Sequence, residues 1–389
     1  MKNDSVINVL LAEVNADSVE SYIQSLQDMQ TRFMISPNRL AVAQWIREKF
    51  ISFGMEPEYV QIDSVICTTN INLWNLHYDT TTWQYNVITT IPGIENTNTY
   101  YVMGAHYDDV VAPSGNPMEF APGADDNASG VAALLEAARV IADINYHPKT
   151  SIELVAFGAE ELMNYGNSGS EGYVAHAIAN EKDIHLMLNN DMIANNNGPL
   201  WRIDVSNYYG CEWYTNMAQY IALTYTEIEP LLDNPSASAT GDCKYFYEAD
   251  IPCVYFMEHD FNPYYHSVND LIDHCEVDYC AEAIKISLGV LVAADDPIVG
   301  WDEDELNEDI SVYPNPSPGS VNIVMDASIN GENPVHFVIS GYDGKEIKSG
   351  TLDCNEKRAL DLGHIPDGLY FIRFIGKEKI SVTRLVIRR

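Results

Sequence analysis

Apolar residues along the first three quarters of the chain fall into two kinds of pattern: short continuous runs, and longer segments in which they recur every three or four positions. Ser18–Asp28 and Asn38–Phe53 carry the helical spacing. In the second, Leu40, Ala43, Trp45, Ile46 and Phe50 fall near one face, and Gly54 follows as a stop. Short strands are expected at Tyr59–Ile62 and Tyr85–Ile91, set among polar turns. From Tyr100 the alternation becomes regular. Strands are predicted at Tyr100–Ala105, Ser151–Phe157, His185–Asn189 and Pro252–Met257, and helices at Ser129–Ala142, Gly172–Asn180, Trp213–Leu223 and Val277–Ala294. The helix at Ser129–Ala142 places Val131, Leu134, Leu135, Ala138 and Ile141 on one face. Short apolar strands alternating with helices predict an α/β fold, a mostly parallel mixed sheet sandwiched by helices.

The pattern breaks near residue 299. Asp302–Asp309 is a dense acidic run and reads as part of a linker over 299–309. Beyond it the period shortens to alternating segments at Val321–Met325, His336–Ser340, Leu369–Ile375 and Ser381–Ile387. Turn residues at Tyr342-Asp343-Gly344-Lys345 and Pro366-Asp367-Gly368 separate them. The expected organisation is a large α/β domain over 1–298 and a small all-β sandwich over 310–389.

Charge sharpens that division. The chain has a formal net charge of -36 over 389 residues. Ile310–Arg389 holds ten basic and nine acidic side chains, leaving eleven and 48 for the rest. So acidic a body repels phosphate backbones, which argues against nucleic acid as a partner. None of the seven cysteines lies in a Cys-x-x-Cys pair, so a sulfur-ligated zinc site is disfavoured. Cys243 with Cys253, or Cys275 with Cys280, are bridges that proximity allows, with connectivity left open. No stretch approaches the roughly 20 apolar residues that span a bilayer. The run Val6–Val14 is interrupted by Glu13 and lacks a basic lead-in and a small-residue cleavage site, so it does not read as a secretory leader.

Five clusters carry candidate chemistry: Gly104-Ala105-His106-Tyr107-Asp108, Gly123-Ala124-Asp125-Asp126-Asn127, Gly158-Ala159-Glu160-Glu161, Asn189-Asn190-Asp191-Met192 and Tyr265-His266-Ser267. Taken singly, each has a bland reading: a histidine near a strand end, a solvated Glu-Glu pair, a helix cap supplied by Asp125 or Asn127. Three of them directly follow predicted strands, and in open α/β sheets ligands collect beyond the carboxyl ends of strands. Zinc takes imidazole nitrogen and carboxylate oxygen, and a pair of ions needs a shared carboxylate. The expected assignment makes Asp126 that bridge, with His106 and Asp191 completing one metal and Glu161 and His266 the other. Asp108 is expected to accept the other imidazole proton of His106 and fix its tautomer. Glu160 is left as general base. Met192, Tyr255 and Phe256 are candidate walls of a substrate pocket.

From Ser18 to Asp295 these clusters resemble peptidase family M28, zinc peptidases that include secreted bacterial aminopeptidases. Carried over by motif, the resemblance implies metal ligands at His106, Asp126, Glu161, Asp191 and His266, a general base at Glu160, and a cis peptide at Asp126-Asn127. The chain departs from the family at Gly241-Asp242-Cys243, where members commonly carry Ser-Asp-His. The last segment, with Val312-Tyr313-Pro314-Asn315-Pro316, Gly341-Tyr342-Asp343-Gly344-Lys345 and Gly368-Leu369-Tyr370, is similar to type A sorting domains of the type IX secretion system. That likeness implies passage through the periplasm and outer membrane to the cell surface or medium, with the export machinery as partner.

The expected function is an exported aminopeptidase with two zinc ions, acting on peptides with a free N-terminus through metal-activated water. Cobalt or manganese can substitute at such a site. Two other readings are a glutaminyl-cyclase-like transferase with one zinc, and a non-catalytic receptor on a peptidase scaffold.

Overall fold

Strands β1 (Val60–Leu73), β2 (Leu76–Ile91), β3 (Asn96–His106), β4 (Thr150–Phe157), β5 (Asp183–Asn190), β6 (Arg202–Ser206), β7 (Glu229–Leu232) and β8 (Cys253–Glu258) form one sheet in the order β1-β2-β4-β3-β5-β8-β6-β7. Its centre, β4-β3-β5-β8, is parallel. The pairs β1/β2, β2/β4 and β6/β8 are antiparallel. The mixed α/β sheet expected from the alternation of patterns is present. In this computed structural model the described residues are 2–73, 76–113, 115–161, 169–295, 310–314, 317–325, 334–340, 346–352, 357–366, 368–375, 380–387 and 389. They fall into two units, Val6–Asp296 and a second comprising Met1–Ser5 with Pro297–Arg389. The acidic linker expected at 299–309 lies outside the described residues.

Burial explains why the central elements were readable. β4 is buried at all but its first residue, the signature of a parallel strand covered on both faces. Helices α4 (Gly130–Asp143) and α8 (Val277–Asp295) pack against β3 and are apolar nearly all round. Both are interior helices, so α4 buries Ala132, Ala133, Ala137 and Val140 as well as the single face read from its spacing. In α3 (Arg39–Ser52) the buried face is Val42, Ala43, Ile46 and Phe50, while Leu40 is exposed.

The β1–β2 hairpin is the main correction. Only its outer ends were expected as strands, yet the two pair without interruption from Val60↔Thr89 to Leu73↔Leu76. Its middle is polar and half-exposed, with Thr68 opposite Thr81 and the exposed Ile66 opposite the exposed Trp83. Its inward face is buried at Cys67, Thr69, Ile71, Leu76 and Gln84, but threonine and glutamine fill much of that face, so hydrophobic alternation gave little sign of it. Helix α1 (Lys2–Ala12) buries Ile7, Leu10 and Leu11 where only a broken apolar run was noted. The short β6 and β7 were also missed. Neither proposed disulfide forms: all six described cysteines are free thiols. Among the described residues no helix is long and apolar enough to cross a membrane.

The second unit has two antiparallel sheets. One joins β9 (Ile310–Tyr313), β10 (Ser320–Met325) and β13 (Arg358–Asp361); the other joins β11 (Val335–Ser340), β12 (Glu346–Leu352), β14 (Gly368–Ile375) and β15 (Ile380–Ile387). Val321 and Ile323 from the first share a core with Phe337, Ile339, Ile372, Phe374, Leu385 and Ile387 from the second, as in a small β-sandwich.

Two buried ionic residues tie the large unit together. Asp295, at the end of α8, accepts the backbone N–H groups of Lys149 and Thr150 and the hydroxyls of Tyr146 and Thr150, fixing the start of β4. Arg32 is fully buried beside Asp109, with Nη1 3.2 Å from Oδ2. Its guanidinium donates to the carbonyls of Leu26, Tyr107, Pro122 and Gly123. It thereby binds the loop after His106 to the loop before Asp126. Replacing Arg32 by Met removes those donors and strands the Asp109 carboxylate, an effect of about 3–5 kcal/mol for a buried pair that loses one partner. We expect a lower urea midpoint for Arg32→Met, followed by tryptophan fluorescence. An unchanged midpoint would show that these loops are held by other means.

Candidate active site

The parallel register brings three strand ends level. His106, the last residue of β3, pairs with Phe157, the last of β4, and Gly104 pairs with Asn189 near the end of β5. Glu160, Glu161 and Asp191 follow within a few residues. Asp126 comes from a π-helical turn, Ala124–Ser129, that opens α4 with non-helical dihedrals at Asp126 and Asn127. The Asp126-Asn127 peptide is cis. Asp270 holds that turn by accepting the backbone N–H groups of Asp125 and Asp126 at 3.1 and 3.0 Å. Asn127 ties it to its surroundings: its Oδ1 accepts the Gly130 N–H as a helix cap does, and its Nδ2 donates to the Asn190 carbonyl. His266 arrives on the loop after β8, whose chain is pinned where the Ala112 N–H donates to the His266 carbonyl.

These side chains converge on two trios that share one residue. His106, Asp126 and Asp191 each offer a donor atom within 4.8 Å of the others, and so do Asp126, Glu161 and His266. His106 Nε2 lies 3.4 Å from Asp126 Oδ1 and 3.2 Å from Asp191 Oδ1. His266 Nε2 lies 3.3 Å from Asp126 Oδ2 and 2.7 Å from Glu161 Oε2. One carboxylate therefore turns one oxygen toward each trio. Glu160 Oε2 stands 4.0 Å from His106 Nε2, and its side chain, 16% exposed, is the most open of the six.

The electrostatics of the cluster are those of a site short of positive charge. Burial above all, then the neighbouring Asp126, push Glu161 up to about 8. Burial likewise raises Glu160 well above the usual carboxylate range; the charge at His106 opposes this and Asp191 and Asp242 reinforce it. His106 is driven the other way: burial disfavours its cation, yet Asp191 and Glu160 outweigh burial and raise it. Burial also works to raise Asp126, but hydrogen bonding and charge at both imidazoles hold it below its usual range. Buried Glu161 Oε1 makes no hydrogen bond among the described residues. Hard oxygens and imidazole nitrogens crowded in this way fit divalent zinc, which would supply the missing charge and restore the ionised form of each carboxylate.

Asp108 departs from its expected geometry. Its carboxylate is 3.7 Å from His106 Nδ1, whereas its own backbone carbonyl is closer, at 3.2 Å. The carboxylate is engaged by the backbone N–H groups of Glu160 and Glu161, at 2.9 and 3.3 Å, and so holds the segment that carries both glutamates. Met192, Tyr255 and Phe256 are all buried, and the Tyr255 hydroxyl donates to Asp191.

Several contributors had no signal in the sequence pattern. Asp270 is one. Another is Glu258, fully buried, whose carboxyl accepts the N–H groups of Asn195 and Asn262. Burial first, then the Asp125 charge, push it up to about 12, so it stays protonated beside Asp125. Tyr265, partly exposed, stacks on the His266 ring with centroids 3.7 Å apart. Ala159, Met192 and His266 have φ of 63, 53 and 53°. Left-handed backbone at three non-glycine residues on the ligand-bearing loops costs on the order of 1–3 kcal/mol apiece, and such strain gathers where a site requires it.

Comparison with known proteins agrees with this geometry. A profile of peptidase family M28 matches residues 86–291, and a profile of secretion-system C-terminal sorting domains matches residues 311–388. A probable zinc metalloprotease of Pyrenophora teres f. teres is 32% identical over 207 residues, covering 49% of this chain and 42% of its own. The chain thus spans less than half the length of that relative. Leucine aminopeptidase 1 of Emericella nidulans is 26% identical over 298 residues, covering 72% of this chain and 71% of its own. The crystal structure of the Legionella pneumophila LapA aminopeptidase shares the fold, with a TM-score of 0.62 at 20% identity over 76% of each chain. The profile match covers more than half of the sequence and includes all five residues of the two trios, so the chain belongs to peptidase family M28 and carries a secretion-system C-terminal sorting domain after its peptidase region.

Proposed function

We propose that this protein is an exported aminopeptidase with two zinc ions, which removes N-terminal residues from peptides using Glu160 as general base. The observation that carries the reading is Asp126, whose Oδ1 faces His106 and whose Oδ2 faces His266. A carboxylate so placed would hold two ions at once and limit their mutual repulsion. His106 and Asp191 complete one set of ligands, Glu161 and His266 the other. Zinc bound there supplies Lewis-acid polarisation of the scissile carbonyl and acidifies water.

The remaining work falls to the chain. Glu160 is held by its backbone N–H on Asp108, beside His106 but outside both trios. Its Oε2 takes a proton from the attacking water and returns it to the leaving amine. The acidic surroundings favour a cationic amino terminus as the recognised end of the substrate. Exposed Phe261 and Tyr265, in edge contact beside His266, favour an apolar residue in that substrate. The two-domain reading assigns 1–298 to catalysis and 310–389 to delivery through type IX secretion.

Three outcomes test this. Glu160→Gln lowers kcat on leucyl-p-nitroanilide by about 10²–10⁴-fold while zinc content stays at two per chain, because a base is lost and no ligand is. Chelation abolishes turnover and lowers Tm, since metal that binds only the folded chain stabilises it by mass action; two equivalents of zinc restore both. Turnover that persists after thorough metal stripping would falsify the reading, and a single tight zinc with pyroglutamate formation would replace it with the cyclase. At low pH, activity falls as Glu160 takes up a proton, and Glu160→Gln loses that acid limb from its residual rate-pH profile; an unchanged limb would assign it to another group.

A further inference from the structure

Asp191 divides its two oxygens between different partners. Oδ1 lies 3.2 Å from His106 Nε2, inside the first trio, and Oδ2 accepts the hydroxyl of Tyr255 at 2.8 Å. We propose that Tyr255 is a positioning residue for the metal centre, orienting Asp191 so that only Oδ1 is presented to the ion, and that Gly241 is the residue that admits its ring. The inference rests on the reading of Asp191 as a metal ligand.

The fold brings the pair together. Asn189 pairs with Tyr255 and Asn190 with Phe256 across the parallel β5/β8 ladder, so Asp191 leaves β5 beside the residue that follows Tyr255. The Asp191 N–H donates to the Phe256 carbonyl at 3.2 Å, which fixes its backbone against β8. With backbone and Oδ2 both held, the carboxylate has little freedom to rotate. A carboxylate with one oxygen engaged by a phenol binds a metal through the other, and donors of this kind tune ligand orientation and affinity.

Gly241 makes the arrangement possible. A Cβ built on it lies 2.9 Å from Cε2 of the Tyr255 ring and 3.4 Å from Asn189 Nδ2, and its φ is +55°. Any side chain there pushes the ring off its seat. Gly241 stands just before the short helix Cys243–Glu248, whose Cys243 and Phe246 are buried. Tyr255 and Cys243 also belong to one apolar cluster with Met187 and Phe246. The glycine and the tyrosine thus form one local solution to holding Asp191.

The test is a zinc competition titration of the full chain against a chromophoric chelator. For Tyr255→Phe, which keeps the ring and removes the hydroxyl, one of two zinc equivalents is expected to weaken by about 10–100-fold and the other to hold its affinity. The absorption of the cobalt-loaded protein shifts in the same variant. Gly241→Ala, which displaces the ring and keeps the hydroxyl, is expected to weaken the same equivalent. If wild type binds two zinc ions and Tyr255→Phe binds both unchanged, the positioning role is overturned and the proposed function stands. Wild type that fails to bind two ions overturns both.

Discussion

Four carboxylates and two imidazoles enclosed within a few ångströms of one another cannot all carry their usual charge in the absence of a cation. That constraint governs the large unit. Like charges at such separations repel strongly once water is removed, and desolvation adds a penalty for every ionised group. The opposed shifts follow from it: Glu160 and Glu161 are driven toward their neutral forms and His106 and His266 toward their cations. A chain folds around such a cluster only when its backbone is held by other means, or when metal binding contributes to folding.

Those other means are visible as a layer of buried polar residues behind the cluster. Arg32 gathers the carbonyls of two ligand-bearing loops, Asp270 fixes the backbone at Asp126, Asn127 caps α4, and Asp108 fixes the glutamate pair. Glu258 keeps its proton and shares the interior with Asp125 without adding a further charge. Each of these groups acts on main-chain atoms. Side-chain geometry at the centre is therefore a consequence of loop geometry, and the left-handed residues at Ala159, Met192 and His266 show the local cost of that geometry.

The two units answer different physical demands. The large unit carries nearly all of the negative charge and the metal-binding chemistry; the small sandwich is close to neutral and is held by an aliphatic and aromatic core. An acidic body and a near-neutral β-module accord with a peptidase region followed by a secretion-system C-terminal sorting domain. Within the large unit, Gly241 leaves room for the Tyr255 ring, whose hydroxyl donates to Asp191 Oδ2 while Oδ1 faces His106.

Hydrophobic spacing by itself determined the α/β class, most of the central strands and the sandwich strands at Val321–Met325 and Leu369–Ile375, because buried parallel strands and interior helices impose continuous or periodic apolar runs. Residue type and position after those strands also determined His106, Asp126, Glu160, Glu161, Asp191 and His266 as candidates, since metal chemistry restricts the donors. The half-exposed β1–β2 hairpin is not legible in the sequence because its buried face carries Thr69 and Gln84 beside Cys67, Ile71 and Leu76, so no apolar alternation runs along it. Only the tertiary structure decided that Asp126 faces both trios, that the Asp108 carboxylate lies closer to backbone amides than to the His106 imidazole, and that Tyr255 bonds Asp191. Those facts depend on distances between loops far apart in sequence, and such distances are set by strand register and buried hydrogen bonds, which composition and periodicity do not encode.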